Sequence, residues 1–218
     1  MPWDLIIFDC DGVLVDSEPI AERVFPQVLA EEGFEVSLDD ARSWFTGYSL
    51  QTCLKRVAEL FGRPVPGDLG QKYYDRLFEE FRKSLQPVPG IAEALNAIPY
   101  PICVASSGAH EKMQVSLDVT GLLPRFAGRI FSAHDVARGK PAPDLFVHAA
   151  QQCNANPRRC AVVEDSIPGV TAGSAAGMTV FGFITPFNES LTDTFLNSGA
   201  VIFSSMKELP ELLMHHKV

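Results

Sequence analysis

The apolar positions of this chain fall into two textures. Short, near-continuous apolar runs occur at "DLIIF" (4–8), "YPICVAS" (100–106), "RIFSA" (129–133), "CAVVED" (160–165) and "MTVFGF" (178–183), with a weaker one at "AVIFS" (200–204). Each has about strand length, and the lack of alternation predicts parallel strands covered on both faces. Helical spacing fills the gaps at 90–98, 110–121, 143–154, 166–177 and 205–216, and several of these stretches end on Gly or Asn, a common C-cap. Strands alternating with helices predict an α/β fold built on a parallel sheet with right-handed crossovers.

Residues 17–86 break the alternation. No strand pattern occurs there, only helical stretches at 17–33, 38–45, 49–62 and 67–85, with apolar residues at helical spacing such as Val57, Leu60 and Phe61, or Tyr74, Leu77, Phe78 and Phe81. This predicts a helical bundle inserted after the first strand, with "PVPG" (87–90) as the return hinge. The expected division is therefore 1–16 and 87–218 for the α/β core, and 17–86 for the insertion.

Composition narrows the function. The 218 residues are 46% hydrophobic and 21% charged, ordinary for a water-soluble globular fold that needs no metal or disulfide staple. The formal net charge of −9 and the absence of a Lys/Arg run speak against a nucleic-acid partner. The five cysteines are scattered without a Cys-x-x-Cys pair, which predicts free thiols in a reducing compartment. The opening "MPWDLIIFD" lacks a basic n-region and no apolar run is long enough to span a bilayer, so a cytoplasmic protein with no membrane partner is expected.

The chemistry concentrates at strand ends. In "IIFDCDGVLVDSE" (6–18), Asp9 and Asp11 follow a buried-looking strand, and extended geometry would project both to one side. An EF-hand loop starts similarly, but here the later ligand positions fall on Val13, Val15 and Ile20. A plain strand-to-turn segment or a metal-assisted phosphoryl-transfer site remains. Three further features favour the second. "VASSG" offers Ser106, Ser107 and Gly108 at a strand-to-helix turn suited to a phosphate, "GKPAPD" sets Lys140 beside a proline, and "VVEDS" ends a strand on Glu164 and Asp165. Acidic groups around a divalent cation, with one lysine and one hydroxyl, make a phosphoryl site.

This order of motifs resembles the haloacid dehalogenase superfamily of phosphohydrolases over essentially the whole chain. "FDCDGVLVDSE", Ser106 in "CVASSG", Lys140 in "GKPAPD" and Glu164-Asp165 in "VVEDS" stand as its four motifs. The resemblance implies a Rossmann-like core carrying a helical cap. It implies Asp9 as nucleophile, Asp11 as acid and then base, and Mg2+ held by Asp9, the Asp11 backbone carbonyl and Asp165, with Glu164 in or near the shell. It also implies that Ser106 and Lys140 hold the transferring phosphoryl group, alongside Ser107 and Gly108.

Within the capped branch, phosphatases and β-phosphoglucomutase share these motifs. Leu50 stands where a mutase arginine is expected and Ala21 where a mutase-type histidine is expected, which favours a phosphatase. "ICVASSG…KM" and "HAA" are most similar to bacterial sugar-phosphate phosphatases, the 6-phosphogluconate type included, so the expected partner is a small phosphorylated metabolite, phosphoglycolate being a further candidate. Arg42, Trp44, Tyr48 and Lys72 are candidate specificity residues, His110 a candidate pocket residue, and a monomer or weak homodimer is expected. A phospho-receiver domain also combines acidic groups, a hydroxyl and a lysine on a parallel sheet. Its phosphorylated Asp does not share a strand with the acidic pair and no bundle follows its first strand, so this reading is set aside.

Overall fold

A computed structural model describes residues 3–45 and 48–216, the side chains of Arg42 and Ser43 excepted. Six strands form one parallel sheet: β1 (Leu5–Phe8), β2 (Ile102–Ser106), β3 (Ile130–Ser132), β4 (Cys160–Glu164), β5 (Thr179–Phe183) and β6 (Val201–Phe203). Their spatial order is β3-β2-β1-β4-β5-β6, so the chain winds one way from β1 and then reverses. The reversal lies between β1 and β4, and a crevice at the carboxyl ends of such strands is where open α/β sheets bind ligands.

The near-continuous apolar runs are explained by the two faces they serve. In β1, Ile6 and Phe8 belong to one buried cluster while Leu5 and Ile7 belong to another. The first cluster contains residues of α5 (Ile91–Ala97), α6 (His110–Val119) and α10 (Leu209–His215). The second contains residues of α7 (Asp144–Gln152), α8 (Ile167–Ala175) and α9 (Thr192–Asn197). A sheet sandwiched in this way has no solvent face, so polar residues of its central strands are confined to the carboxyl ends, as Ser106 and Glu164 are.

Between β1 and α5 the chain forms α1 (Glu18–Glu31), α2 (Leu38–Phe45), α3 (Leu50–Phe61) and α4 (Leu69–Ser84). Aromatic packing joins them: Phe25 of α1 meets Phe45 of α2 and Tyr73 of α4, each at 5.1 Å between ring centroids. The chain leaves and returns through paired segments, Asp16 N–H donating to the Gln86 carbonyl (2.9 Å) and Val88 N–H to the Leu14 carbonyl (3.0 Å).

All six expected strands and nine expected helices are present, some ends matching and the others trimmed by up to four residues. The last helix begins at Leu209 rather than 205 because Pro210 occupies its first turn, where a missing N–H costs nothing. Helix α9 was not expected: six residues rich in Thr, Asp and Asn carry too little periodicity to register.

Candidate active site

The site grows from the carboxyl end of β1. Asp9 N–H donates to the Val163 carbonyl (3.0 Å), extending the β1–β4 ladder one residue and setting Asp9 beside the end of β4. The side chain of Asp9 is nearly buried, and its Oδ1 accepts from Lys140 Nζ at 2.7 Å. The same Nζ reaches Glu164 Oε1 at 2.6 Å and lies 4.9 Å from the centre of the Phe146 ring. Lys140 is thus a buried cation shared by two carboxylates, with its side chain only 1% exposed. Burial opposes its charge, but Asp9 and Glu164 hold its proton above the usual lysine range. Burial pushes Asp9 up to about 7, Lys140 offsetting part of the effect and the Glu164 and Asp11 charges adding to it.

Glu164 is fully engaged. Its Oε2 accepts from Asp165 N–H (2.9 Å), Ser166 N–H (3.0 Å) and Ser166 Oγ (2.9 Å), while Oε1 takes Lys140. A Cβ at Gly169 would stand 1.7 Å from Glu164 Oε1, so only glycine leaves room for this carboxylate beneath the first turn of α8. Asp165 turns toward Asp9 instead. Burial and the Glu164 and Asp9 charges push its carboxyl well above the usual range. Gly12, at φ +73°, makes the same accommodation on the other side: a Cβ there would meet Asp165 Oδ2 at 2.0 Å.

One oxygen from each of Asp9, Glu164 and Asp165 can be chosen so that all lie within 4.8 Å of one another, a spacing suited to a hard divalent cation. Glu164 already spends both oxygens on four donors, so Asp9 and Asp165 are the carboxylates with capacity to ligate. The raised Asp9 and Asp165 describe anionic charge that the protein alone does not balance, and a divalent ion fits that need.

Asp11 is held separately. Ser17 Oγ donates to its Oδ1 at 2.6 Å, and Lys112 Nζ lies 2.7 Å from its Oδ2. Burial alone would raise Asp11, but the Lys112 charge and the hydrogen bonds from Lys112 and Ser17 keep it below the usual value. Ser17 precedes α1 as an N-cap by position, yet makes no side-chain cap bond because its hydroxyl serves Asp11. Cys10, between the two aspartates, points to the buried Ser116 of α6 (3.7 Å).

On the other flank, Ser106 ends β2, and Gly108 N–H donates to its Oγ at 3.1 Å. The turn is pinned from β3, where Ser132 Oγ donates to the Gly108 carbonyl at 2.7 Å. Asp9, Asp11, Asp165, Ser106, Ser107, Gly108 and Lys112 all line one cavity between the sheet edge and the inserted helices. Its far wall comes from the inserted segment, through Ala21, Phe25, Phe45, Leu50, Tyr73 and Tyr74 of the helices, Tyr48 of the α2–α3 connection, and Glu18 and Glu22 on α1.

His110 is not among the cavity residues: its Nε2 lies 2.9 Å from Asp135 Oδ1, turned toward the segment after β3. Lys72 is an exposed cation paired with Glu32 (2.6 Å) and Asp68 (3.1 Å). Tyr48 lines the cavity with the Arg56 guanidinium 3.8 Å over its ring, whereas Trp44 packs edge-on against Phe45 (6.1 Å). The Arg42 side chain, Thr46 and Gly47 lie outside the described residues. Ser17 and Lys112 are the site residues that sequence reasoning passed over. "KM" at 112–113 carries only a resemblance, and nothing in the sequence shows that α6 turns Lys112 toward Asp11.

A family model for haloacid dehalogenase-like hydrolases matches residues 3–177. The chain belongs to this family. It is 33% identical over 214 residues to the 6-phosphogluconate phosphatase of Escherichia coli (strain K12), covering 96% of this chain and 94% of that protein. It is 28% identical to hexitol phosphatase A of the same organism over 83% of this chain and 82% of that one. Among solved structures, a haloacid dehalogenase family hydrolase from Deinococcus radiodurans R1, with bound phosphate and sodium, superposes with a TM-score of 0.73 at 33% identity, covering 95% of this chain and 93% of that one. Family and relatives together make this haloacid dehalogenase-like hydrolase an enzyme of the phosphatase type.

Proposed function

We propose that this hydrolase is a Mg2+-dependent phosphatase that releases phosphate from a small phosphorylated sugar or sugar acid through an aspartyl-phosphate on Asp9. The observation that carries the reading is the buried Asp9–Lys140–Glu164 arrangement opening on a cavity, with Asp11 held beside it. Asp9 and Asp165, with the Asp11 carbonyl that the family resemblance implies, would hold the ion. Bound there, Mg2+ supplies positive charge that offsets these carboxylates and the phosphoryl oxygens.

In the first step an Asp9 oxygen attacks phosphorus while the bond to the leaving oxygen breaks and that oxygen takes a proton from Asp11. In the second, Asp11 accepts a proton from the water that cleaves the acyl phosphate. Ser106 and the turn through Ser107 and Gly108 hold the phosphoryl oxygens, and Lys140 keeps Asp9 ionised and aimed.

The helices at 18–84 act as a cap that selects the leaving group. The relatives named for 6-phosphogluconate and hexitol phosphate favour a polyhydroxylated substrate. Leu50 and Ala21 both line the cavity and neither can grip a second phosphate, which supports hydrolysis over a mutase cycle. Five free cysteines suit the cytoplasm.

The test is a panel of sugar phosphates, sugar-acid phosphates and phosphoglycolate assayed for phosphate release with and without Mg2+. Release from at least one compound is expected with Mg2+, falling about 1,000-fold or more in Asp9→Asn. A wild type no faster than Asp9→Asn on every compound overturns the reading.

A further inference from the structure

We propose that Tyr73 is the residue by which the cavity reads a hydroxyl of the leaving group. The proposal rests on the phosphatase reading and deepens it: esters of polyhydroxylated alcohols are preferred over plain alkyl esters because of this side chain. Tyr73 lies on α4 and lines the cavity, only 7% exposed. Its ring packs edge-on against Phe25, 5.1 Å between centroids. Its hydroxyl makes no hydrogen bond among the described residues. Nor is that oxygen among the side-chain atoms sealed from solvent without a partner, so it opens on the cavity.

Packing does not call for that hydroxyl. Phe25, Phe45, Phe78 and Phe81 fill the same buried cluster without one. A polar group left unpaired in such surroundings is costly, so a partner from outside the chain is required. The neighbouring groups of the cavity are already engaged: Asp11 by Ser17 and Lys112, Ser106 by the Gly108 N–H, and the Cys53 thiol by the Phe45 carbonyl. Tyr73 also stands on the leaving-group flank. The charges that act most on its phenol are those of Lys112, Asp11 and Glu18, not those of the Lys140 side where the phosphoryl group is held. Glu18, on the same flank, makes no hydrogen bond or ion pair among the described residues either. A substrate hydroxyl there accepts from the Tyr73 O–H and donates to a Glu18 oxygen, and a carboxyl accepts whether or not it carries a proton. An alkyl chain in the same place would cover both groups and satisfy neither. Sites built to bond a substrate hydroxyl reject the analogue lacking it for this reason.

The test removes the hydroxyl from each side in turn. Tyr73→Phe keeps the ring and deletes only the oxygen, and circular dichroism with thermal unfolding establishes that the variant is folded. Sorbitol 6-phosphate and hexyl phosphate present the same six-carbon chain with and without its hydroxyls. Wild type is expected to prefer sorbitol 6-phosphate in kcat/KM. In Tyr73→Phe the ratio of kcat/KM on sorbitol 6-phosphate to that on hexyl phosphate is expected to fall about 10-fold, the worth of one hydrogen bond to a neutral group.

A ratio that is the same in wild type and Tyr73→Phe overturns the proposal, since a tyrosine that only packs cannot tell the two esters apart. So does a wild type that prefers hexyl phosphate. The phosphatase reading survives either result, because wild-type turnover and its loss in Asp9→Asn are measured on the same esters. A wild type that releases phosphate from neither ester above the Asp9→Asn level overturns the role of Tyr73, and overturns the phosphatase reading as well when the whole panel of phosphate esters is equally silent.

Discussion

Glu18 shows how one residue can couple the cavity to the stability of the fold. It opens α1, lines the cavity, and has no hydrogen-bond or ion-pair partner among the described residues. Burial, with the Asp11 charge nearby, pushes its carboxyl up to about 7. Between its ordinary value of 4.5 and about 7, the folded chain keeps a proton that the unfolded chain has released. The native state then binds more protons, so stability contributed by Glu18 falls as pH rises through that window. Glu18→Gln removes the titration. Urea unfolding at pH 5 and 7.5 is expected to show wild type losing on the order of 1 to 3 kcal/mol more than the variant. A variant with the same pH slope as wild type would remove Glu18 from this role. Such a residue is illegible in sequence: "DSE" announces a helix start, and only the fold shows that the helix delivers its first carboxylate into a shared cavity. Asp9, Ser106, Lys140 and Asp165 were legible because each lies at the end of a recognisable strand or, for Lys140, directly before a proline-marked turn. The pairing of Lys140 with both Asp9 and Glu164 was not, since it depends on strand order.

At the scale of elements, strands and helices were legible from apolar texture alone, and the loops between them were not. The loop after β5 matters most. Asn188 Nδ2 donates to the Asp165 carbonyl (2.7 Å) and the Phe183 carbonyl (3.0 Å), while its Oδ1 accepts from Thr185 N–H (2.7 Å). This amide clasps the end of β5 to the turn that presents Asp165, using both of its donors. Nothing in "TPFNES" advertises that role, because Asn is an ordinary loop residue and its partners are backbone atoms. Supporting bonds behind a metal ligand commonly control affinity by 10- to 100-fold. If Asp165 holds Mg2+ as proposed, Asn188→Ala is expected to weaken Mg2+ binding by about 10-fold in titration calorimetry. Asn188→Asp, which keeps the acceptor but loses both donors, should weaken it comparably, whereas wild-type affinity in both variants would leave the clasp without influence on the ion.

For the whole molecule, the question is whether the inserted helices and the sheet fold as separate bodies. The boundaries expected near 16 and 87 fall where the two connecting segments pair, through the Asp16–Gln86 and Val88–Leu14 hydrogen bonds. Yet one buried cluster runs unbroken from Phe8, Val104 and Val163 of the sheet to Val24, Leu77 and Phe81 of the helices. A contiguous core predicts one cooperative transition, because neither part can expose its share without stripping the other. The chain's two tryptophans report on the two parts. Trp3 is buried against Phe181 at the sheet and donates to the Leu213 carbonyl (2.8 Å), while Trp44 packs beside Phe45 among the helices. Trp3→Phe and Trp44→Phe each leave a single emitter, and each is followed in urea by fluorescence and by far-ultraviolet circular dichroism. Within each variant the two probes are expected to give one midpoint, whichever tryptophan remains. An earlier fluorescence midpoint in the variant that retains Trp44 would show the helices melting first, and the shared cluster would then be a contact between two separate folding units.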